Sequence, residues 1–346
     1  MRAFGREIGH NAPTLIVAEA GVNHNGDVGL ASELIEVAAE AGADAVKFQS
    51  LNAAGYISRH APKAQYQMET TRGDETQLDM VKQYELSRSQ HVELKSRCEK
   101  LGLGFFSTPF EESAVDLLED IGVEIYKIPS GEITNLPLLA HTAKKQKPII
   151  LSTGMSFLGE VEEAVRVIRE NGPGELILLH CVSNYPADPK DANLKAMSTM
   201  AQAFNLSVGY SDHTPGSEVA LAAVALGACV VEKHLTLDKE MVGPDHKASL
   251  SPEELQNLVA AIRTVESCFG DGIKRPMPSE ENTRKVARKS LVAAEELPSG
   301  TTLTHSNVLA KRPGTGISPA EAKYAVGRRL VRDMQEDEIL RWDCLE

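Results

Sequence analysis

The chain has 346 residues, of which 25% are charged, with a formal net charge of −13 at pH 7; that length suits a barrel-sized domain plus an appendage. The acidic balance argues against a nucleic-acid or anionic-membrane surface, which needs clustered Lys and Arg. No apolar run approaches the ~18 residues of a membrane span, and none near the N-terminus makes a signal-peptide core, so a cytoplasmic protein is expected.

Short apolar runs recur along the chain. They are Leu15–Gly21, Ala45–Ser50, Gly104–Phe110, Ile125–Glu132, Ile149–Met155, Ile177–Ser183, Leu206–His213 and Cys229–Thr236. Continuous runs of this length suit strands buried on both faces, as in a parallel sheet. Amphipathic stretches lie between them. In Val28–Ala41, for example, Leu30, Leu34, Ile35 and Ala38 form one stripe and Gly42 follows as a stop. Eight alternating units of strand and helix predict an α/β fold, a closed (β/α)8 TIM barrel over residues 1–273. A Pro-bearing, charged stretch then reads as a linker, 274–287. The remainder, 288–346, holds short strand-like pieces (Ser290–Ala293, Val308–Lys311, Arg329–Leu330) and a Ser318-capped helix over Pro319–Val326, as a small separate domain. The five cysteines, Cys98, Cys181, Cys229, Cys268 and Cys344, are scattered without metal-type spacing, as in reduced and mostly buried thiols.

Nearly every run begins apolar and ends polar, and the C-terminal mouth of a parallel barrel is where catalytic groups gather. Lys47 and Lys127, with the hydroxyls of Ser107, Thr108, Ser130, Ser152 and Thr153, offer the cations and O–H donors that a phosphate or carboxylate needs. Lys127 could alternatively do no more than pair with Glu132. His213 and His234 end the seventh and eighth runs, neighbours in a barrel, and two imidazoles at one mouth can hold a divalent metal. Glu19, Glu232 or Asp245 stand by as oxygen donors; His180 and His24 are weaker candidates. The turn Lys311-Arg312-Pro313-Gly314-Thr315-Gly316 either presents Arg312 to a ligand or is simply exposed.

Several of these segments together resemble the bacterial sialic acid synthases. They are Ala18-Glu19-Ala20-Gly21-Val22-Asn23-His24-Asn25-Gly26, Lys47-Phe48-Gln49, Phe106-Ser107-Thr108-Pro109-Phe110, Tyr126-Lys127-Ile128-Pro129-Ser130-Gly131-Glu132, Ser152-Thr153-Gly154-Met155, His180-Cys181, Tyr185-Pro186, Gly209-Tyr210-Ser211-Asp212-His213-Thr214, Glu232-Lys233-His234 and Gly243-Pro244-Asp245-His246-Lys247-Ala248-Ser249-Leu250. The tail Lys311–Ile317 is similar to their C-terminal SAF, or antifreeze-like, domain. N-acetylneuraminate and N,N'-diacetyllegionaminate synthases share these motifs; Ser183 stands where some of the former carry Asn, near the sugar.

The resemblance implies a condensation of phosphoenolpyruvate with an N-acylated mannose-type sugar. N-acetylmannosamine is the first expectation and 2,4-diacetamido-2,4,6-trideoxymannose the alternative. It further implies Mn²⁺ or Mg²⁺ on His213 and His234, which with Glu19 carry the chemistry. Lys47, Ser107, Thr108, Lys127, Ser130 and Ser152 hold phosphoenolpyruvate, and Gln49, Tyr185, Asp245 and Arg312 meet the sugar. In the family the chain forms a homodimer in which the C-terminal domain, bearing Arg312, reaches the partner's active site. A 3-deoxy-octulosonate 8-phosphate type synthase fits less well, because it lacks the SAF-like tail. A non-catalytic carbohydrate-binding protein would not need the polar mouth.

Overall fold

The computed structural model describes residues 1–71, 75–172 and 174–346. Contacts divide the chain into two units, Met1–Phe269 and Gly270–Glu346.

In the first unit eight parallel strands form one sheet: β1 (Leu15–Gly21), β2 (Ala45–Ser50), β3 (Gly104–Pro109), β4 (Tyr126–Ile128), β5 (Ile149–Ser152), β6 (Leu176–Cys181), β7 (Val208–Asp212) and β8 (Val230–His234). Their order is β3-β2-β1-β8-β7-β6-β5-β4. β1 pairs with β8, Leu15 opposite Val230 and Glu19 opposite His234, and β3 packs beside β4 to bring the ends of the sheet together. This is the expected TIM barrel, with strand starts matching the apolar runs and several strands ending earlier than those runs.

Side-chain alternation sorts each strand into two cores. Leu15, Val17, Ala45, Phe106, Ile125, Ile150, Ile177, Leu179 and Val230 pack into one cluster. Ile16, Val46, Phe48, Phe105, Tyr126, Ile128, Leu151, Leu178 and Val231 belong to another, packed against helix residues such as Leu34, Leu94, Leu139 and Leu255. The first set fills the barrel and the second lies under the helices. Ala3, in the first strand of an N-terminal hairpin (Arg2–Ala3 with Arg6–Glu7), and Ile8, just after its second, join the interior cluster.

The helix Val28–Glu40 shows how sequence sets these elements. Asp27 caps it, its carboxylate accepting the N–H groups of Gly29 at 2.6 Å and Leu30 at 3.3 Å. Ala31, Leu34, Ile35 and Ala38, spaced on one face, are buried against the sheet. Burying a side chain such as Leu34 stabilises the packing by roughly 1.5–3 kcal/mol, so an Asp there would break the contact.

In the second unit Ser290–Ala293 (β9) and Val308–Lys311 (β10) pair antiparallel around a small core that includes Leu291, Leu297, Leu303, Ile317, Leu330 and Leu340. Arg329 and Leu330 make isolated bridges with Thr302 and Leu345. Ser318 starts a 3-10 turn and a short helix that ends at Ala325. The stretch 274–287, expected to be a linker, is in part helical, over Glu281–Ala287. The reason is local: the Glu280 carboxylate accepts the Met277 N–H at 2.8 Å, and Pro278 starts the turn. Four of the five thiols are buried, and none forms a disulfide.

One buried ion pair ties β7 to β8. Lys233 Nζ lies 2.7 Å from Asp212 Oδ2, both side chains wholly buried. Asp212 Oδ1 also accepts the N–H and hydroxyl of Thr214, at 2.9 and 2.8 Å. Burial draws the lysine's pKa down, so the carboxylate must hold its charge. Removing one partner of such a pair strands the other, whereas an apolar pair of similar volume does not. We expect Asp212→Ala to cost about 3–5 kcal/mol in a urea titration. The double variant Asp212→Leu/Lys233→Met should recover most of it; equal losses in both would refute the pairing argument.

Candidate active site

A cavity of about 690 Å³ opens at the C-terminal end of the barrel. The same alternation that fills the barrel interior delivers its floor. Beyond Val17 comes Glu19; beyond Ala45, Lys47 and Gln49; beyond Phe106, Thr108; beyond Ile125, Lys127; beyond Ile150, Ser152; beyond Val230, Glu232 and His234. All of these line the cavity, with Cys181, Ser211 and His213 from β6, β7 and the residue after it.

Two lysines and two carboxylates share this floor. Lys47 Nζ is 2.7 Å from Glu19 Oε2 and donates to Thr108 Oγ1 at 2.8 Å. Lys127 Nζ donates to Ser152 Oγ at 2.6 Å and to the Ile128 carbonyl at 3.1 Å. Glu232 Oε1 lies 3.8 Å from Lys47 and 3.9 Å from Lys127 and accepts the Ser211 hydroxyl at 3.1 Å. Lys127 thus turns to Ser152 and Glu232; Glu132 instead accepts from Asn135.

Burial pushes Glu19 up to about 8, against the pull of Lys47 and with the added push of Glu232. Burial also pushes Glu232 upward, but Lys127 and Lys47 outweigh it and hold its carboxyl below the ordinary value. Burial draws Lys127 down. Near neutral pH a protonated Glu19 leaves two lysines facing one carboxylate, an excess of positive charge in a dry site that suits an anion.

Beside this floor stand two neutral imidazoles, their ring centroids 5.6 Å apart. His213 Nδ1–H donates to the Val182 carbonyl at 2.6 Å, which leaves Nε2 without a proton. Burial draws its pKa down to about 4. His234 is pushed well below the ordinary value by burial and by His213; its Nδ1 is buried without a hydrogen-bond partner, as is Glu232 Oε2. Asp245 Oδ2 lies 3.8 Å from that Nδ1, its pKa raised to about 6 by burial. Among the described residues no three His, Cys, Asp or Glu side chains converge to hold an ion by themselves. Neutral rings and an orphaned ring nitrogen fit two ligands of a divalent ion whose other positions are filled from outside the chain.

Tyr185 packs on His213, centroids 4.1 Å apart, and meets His234 edge-on at 5.6 Å. Ser130 Oγ lies 3.1 Å from Cys181 Sγ and accepts the Gly154 N–H at 2.9 Å. A side chain at Gly154 would collide with Ser183, Ser130 and Cys181, so only glycine lets this backbone approach the cavity. Gly21, at φ +52°, ends β1 where a Cβ would come within 3.1 Å of Glu19 Oε1.

Some expected residues lie elsewhere. Ser107 shares its strand face with Phe105, under the helices; it is wholly buried and bonds to Ser50 Oγ at 2.8 Å, which in turn meets His91 Nε2 at 2.9 Å. Thr153 donates to the Leu179 carbonyl. His180 Nε2–H donates to the Ala192 carbonyl at 2.8 Å. None of the three lines the cavity. Arg312, in the second unit, is exposed and donates from Nε to the Ala287 carbonyl at 2.9 Å. Conversely, Tyr56, Ile57, Tyr66, Met80 and Tyr84 line the cavity and carry no motif. The available signal is the long stretch between β2 and β3, which holds more than one helix.

A family model described as the NeuB family matches residues 34–274, and a SAF domain model matches 288–346. An N,N'-diacetyllegionaminic acid synthase of Campylobacter jejuni is 52% identical over 95% of this chain and 99% of its own. One of Legionella pneumophila is 46% identical over 98% of this chain and 96% of its own. The crystal structure of an N-acetylneuraminic acid (sialic acid) synthetase of Leptospira borgpetersenii, in complex with citrate, superposes with a TM-score of 0.72. It is 37% identical and covers 82% of this chain and 94% of its own.

His24 supplies a test of burial as the cause of the depressed imidazoles. It is wholly buried and outside the cavity. Its Nδ1 accepts the Gly26 N–H at 3.0 Å, and burial lowers its pKa from 6.5 to about 4. Between those values the unfolded chain binds the proton and the folded one does not, so stability falls as pH drops from about 6.5 toward 4. His24→Asn keeps an acceptor and removes the titration. Between pH 7 and pH 5 the wild type should lose roughly 1–2 kcal/mol more than this variant in urea unfolding; parallel losses would show that His24 does not contribute.

Proposed function

The chain belongs to the NeuB family of sialic acid synthases, and we propose that it condenses phosphoenolpyruvate with 2,4-diacetamido-2,4,6-trideoxymannose to give N,N'-diacetyllegionaminate and phosphate. The sequence by itself put N-acetylmannosamine first. Two diacetyllegionaminic acid synthases, 52% and 46% identical over nearly the whole chain, favour the diacetamido sugar instead. One observation carries the reaction: two lysines that donate to hydroxyl oxygens and two neutral imidazoles line a single cavity at the barrel mouth.

In this reading Lys47, Lys127, Thr108, Ser130 and Ser152 hold the phosphate and carboxylate of phosphoenolpyruvate. His213 and His234 would hold Mn²⁺ or Mg²⁺, which when bound supplies a Lewis acid for the sugar aldehyde. C3 of phosphoenolpyruvate attacks that aldehyde carbon, whose oxygen takes up a proton. Water then adds at C2, the C2–O bond breaks, and phosphate leaves. Glu19, protonated at the outset because burial lifts its pKa, gives the aldehyde oxygen its proton, and the carboxylate it becomes orients the water and receives the water's proton. Gln49, Tyr185 and Asp245 contact the sugar. Arg312, supplied by a second copy of the chain in a homodimer, reaches the N-acyl oxygen.

Phosphate release from phosphoenolpyruvate tests the substrate. The kcat/KM for the diacetamido sugar should exceed that for N-acetylmannosamine by at least about tenfold, and the opposite order would overturn the choice of sugar. In the same assay a chelator should abolish turnover and Mn²⁺ or Mg²⁺ restore it; full activity in excess chelator would refute the metal.

Mixing Glu19→Ala with Arg312→Ala subunits tests the shared site. A mixed dimer then holds one intact site and one doubly damaged site, so statistical exchange should return up to about a quarter of wild-type activity. No recovery after confirmed exchange between inactive parents would defeat the shared site.

A further inference from the structure

Two loops close the seam where β1 and β8 pair. One follows β1, residues 22–27. The other follows β8, residues 235–250, and returns to the sheet where the Leu250 N–H donates to the His234 carbonyl at 2.8 Å. Both carry sequence motifs, residues 23–26 and 243–250, of which the reaction as proposed uses only Asp245. Asp245 lines the cavity, with Oδ2 3.8 Å from His234 Nδ1. Among the described residues no hydrogen bond fixes its carboxylate, so the loop backbone decides where that carboxylate stands.

A chain of buried hydrogen bonds fixes that backbone. Asn23 Nδ2 donates one hydrogen to the Leu235 carbonyl at 2.8 Å and the other to Ser249 Oγ at 2.8 Å. Ser249 Oγ passes the chain on, donating to the Asp245 carbonyl at 2.7 Å. The Ala248 N–H, at 3.1 Å, is that carbonyl's other donor and lies within the same turn; Ser249 and Asn23 are what tie it to the β1 loop. Asn23 and Ser249 are buried, so water does not compete for these bonds. Asn23 Oδ1 is buried without a partner, a cost that places the amide for its donors. His246 makes a second tie. Burial lowers its pKa to about 4, and its neutral ring donates from Nε2 to Asn25 Oδ1 at 3.3 Å and accepts the Thr236 hydroxyl at Nδ1, 2.7 Å away. A Cβ at Gly243 would stand 2.7 Å from that ring, so the loop backbone closes directly on it.

We infer that Asn23 and Ser249 are positioning residues, which act through the Asp245 backbone to set the Asp245 carboxylate against the sugar. The inference rests on the proposed synthase reaction but not on which of the two sugars is native. The ties run from the β8 loop to the β1 loop, and so hold Asp245 in register with the strand that carries Glu19. Without Ser249 Oγ the Asp245 carbonyl loses its link to the β1 loop and the carboxylate shifts; a displacement of about 1 Å is enough to cost up to about a hundredfold in rate.

A mutant cycle on the full-length enzyme tests this, with phosphoenolpyruvate and whichever of the two sugars the wild type turns over faster. Ser249→Ala should raise KM for the sugar and lower kcat/KM for it about tenfold, with KM for phosphoenolpyruvate unchanged. Asp245→Ala should lose more. The double variant Ser249→Ala/Asp245→Ala should lose no more than Asp245→Ala alone, because the serine then has nothing left to position. Ser249→Cys keeps a weak donor in that place and should lose less than Ser249→Ala; it takes the alanine variant's place in the cycle if that variant does not fold. Losses that multiply in the double variant, an equal rise in KM for phosphoenolpyruvate, or no loss in either Ser249 variant would overturn the positioning role. A wild type that turns over neither sugar would overturn the synthase reading itself, and this role with it.

Discussion

A side chain on a closed parallel barrel has two directions open to it, into the barrel or out under the helices, and the direction alternates residue by residue. The rest of this structure depends on that constraint. One set of alternating positions begins with Leu15, Ala45, Phe106, Ile125, Ile150 and Val230, which pack the interior into a dry plug. The same set ends with Glu19, Lys47, Thr108, Lys127, Ser152 and Glu232, which face the cavity. The plug and the site are two ends of the same columns. Charged groups at the mouth therefore rest on hydrocarbon, with little water beneath to solvate them.

From that dryness the electrostatics follow. Burial is the largest influence on Glu19, Glu232, Lys127, His213 and His234 alike. It drives the imidazoles to the neutral form and raises Glu19 to about 8, while the pull of Lys127 and Lys47 keeps Glu232 anionic and so splits the two carboxylates. Environments that push paired carboxylates apart are a usual way to obtain an acid and a base from one residue type. The dry floor also strengthens each hydrogen bond that an anion would receive from Lys47 or Lys127. Tyr185, packed on both imidazoles and 5.3 Å from Tyr66, links the charged floor to the residues that line the cavity between β2 and β3.

The outward-facing polar residues do different work. Asp212 and Lys233 neutralise each other between sheet and helices, and Ser107, Ser50 and His91 form a closed chain of hydrogen bonds in the same layer. Ser107 adjoins Thr108, Ser50 adjoins Gln49, Lys233 lies between Glu232 and His234, and Asp212 lies between Ser211 and His213. Neighbours in sequence thus serve different ends, structure on one face and the cavity on the other.

The strands were legible because eight apolar runs, separated by amphipathic helices, can bury themselves in few ways. The lysines and the histidine pair were legible because a charge or imidazole at the end of such a run has few uses except at a barrel mouth. Parity was harder to see. Runs buried on both faces show no polar alternation, so Ser107 and Thr108 look alike in sequence although the fold sends one under the helices and the other into the cavity. The helix over Glu281–Ala287 hid behind the prolines and charges that also start it. The cavity lining contributed between β2 and β3 left no mark in the sequence, because Ile57, Ser58, Tyr66, Gln67 and Met80 are ordinary residues until the chain brings them to the cavity. Residue chemistry and spacing are local properties, and they determined the barrel, its polar end and the charged floor. Which face each side chain takes, and what stands opposite the floor, depend on contacts between distant segments, and only the tertiary structure decided them.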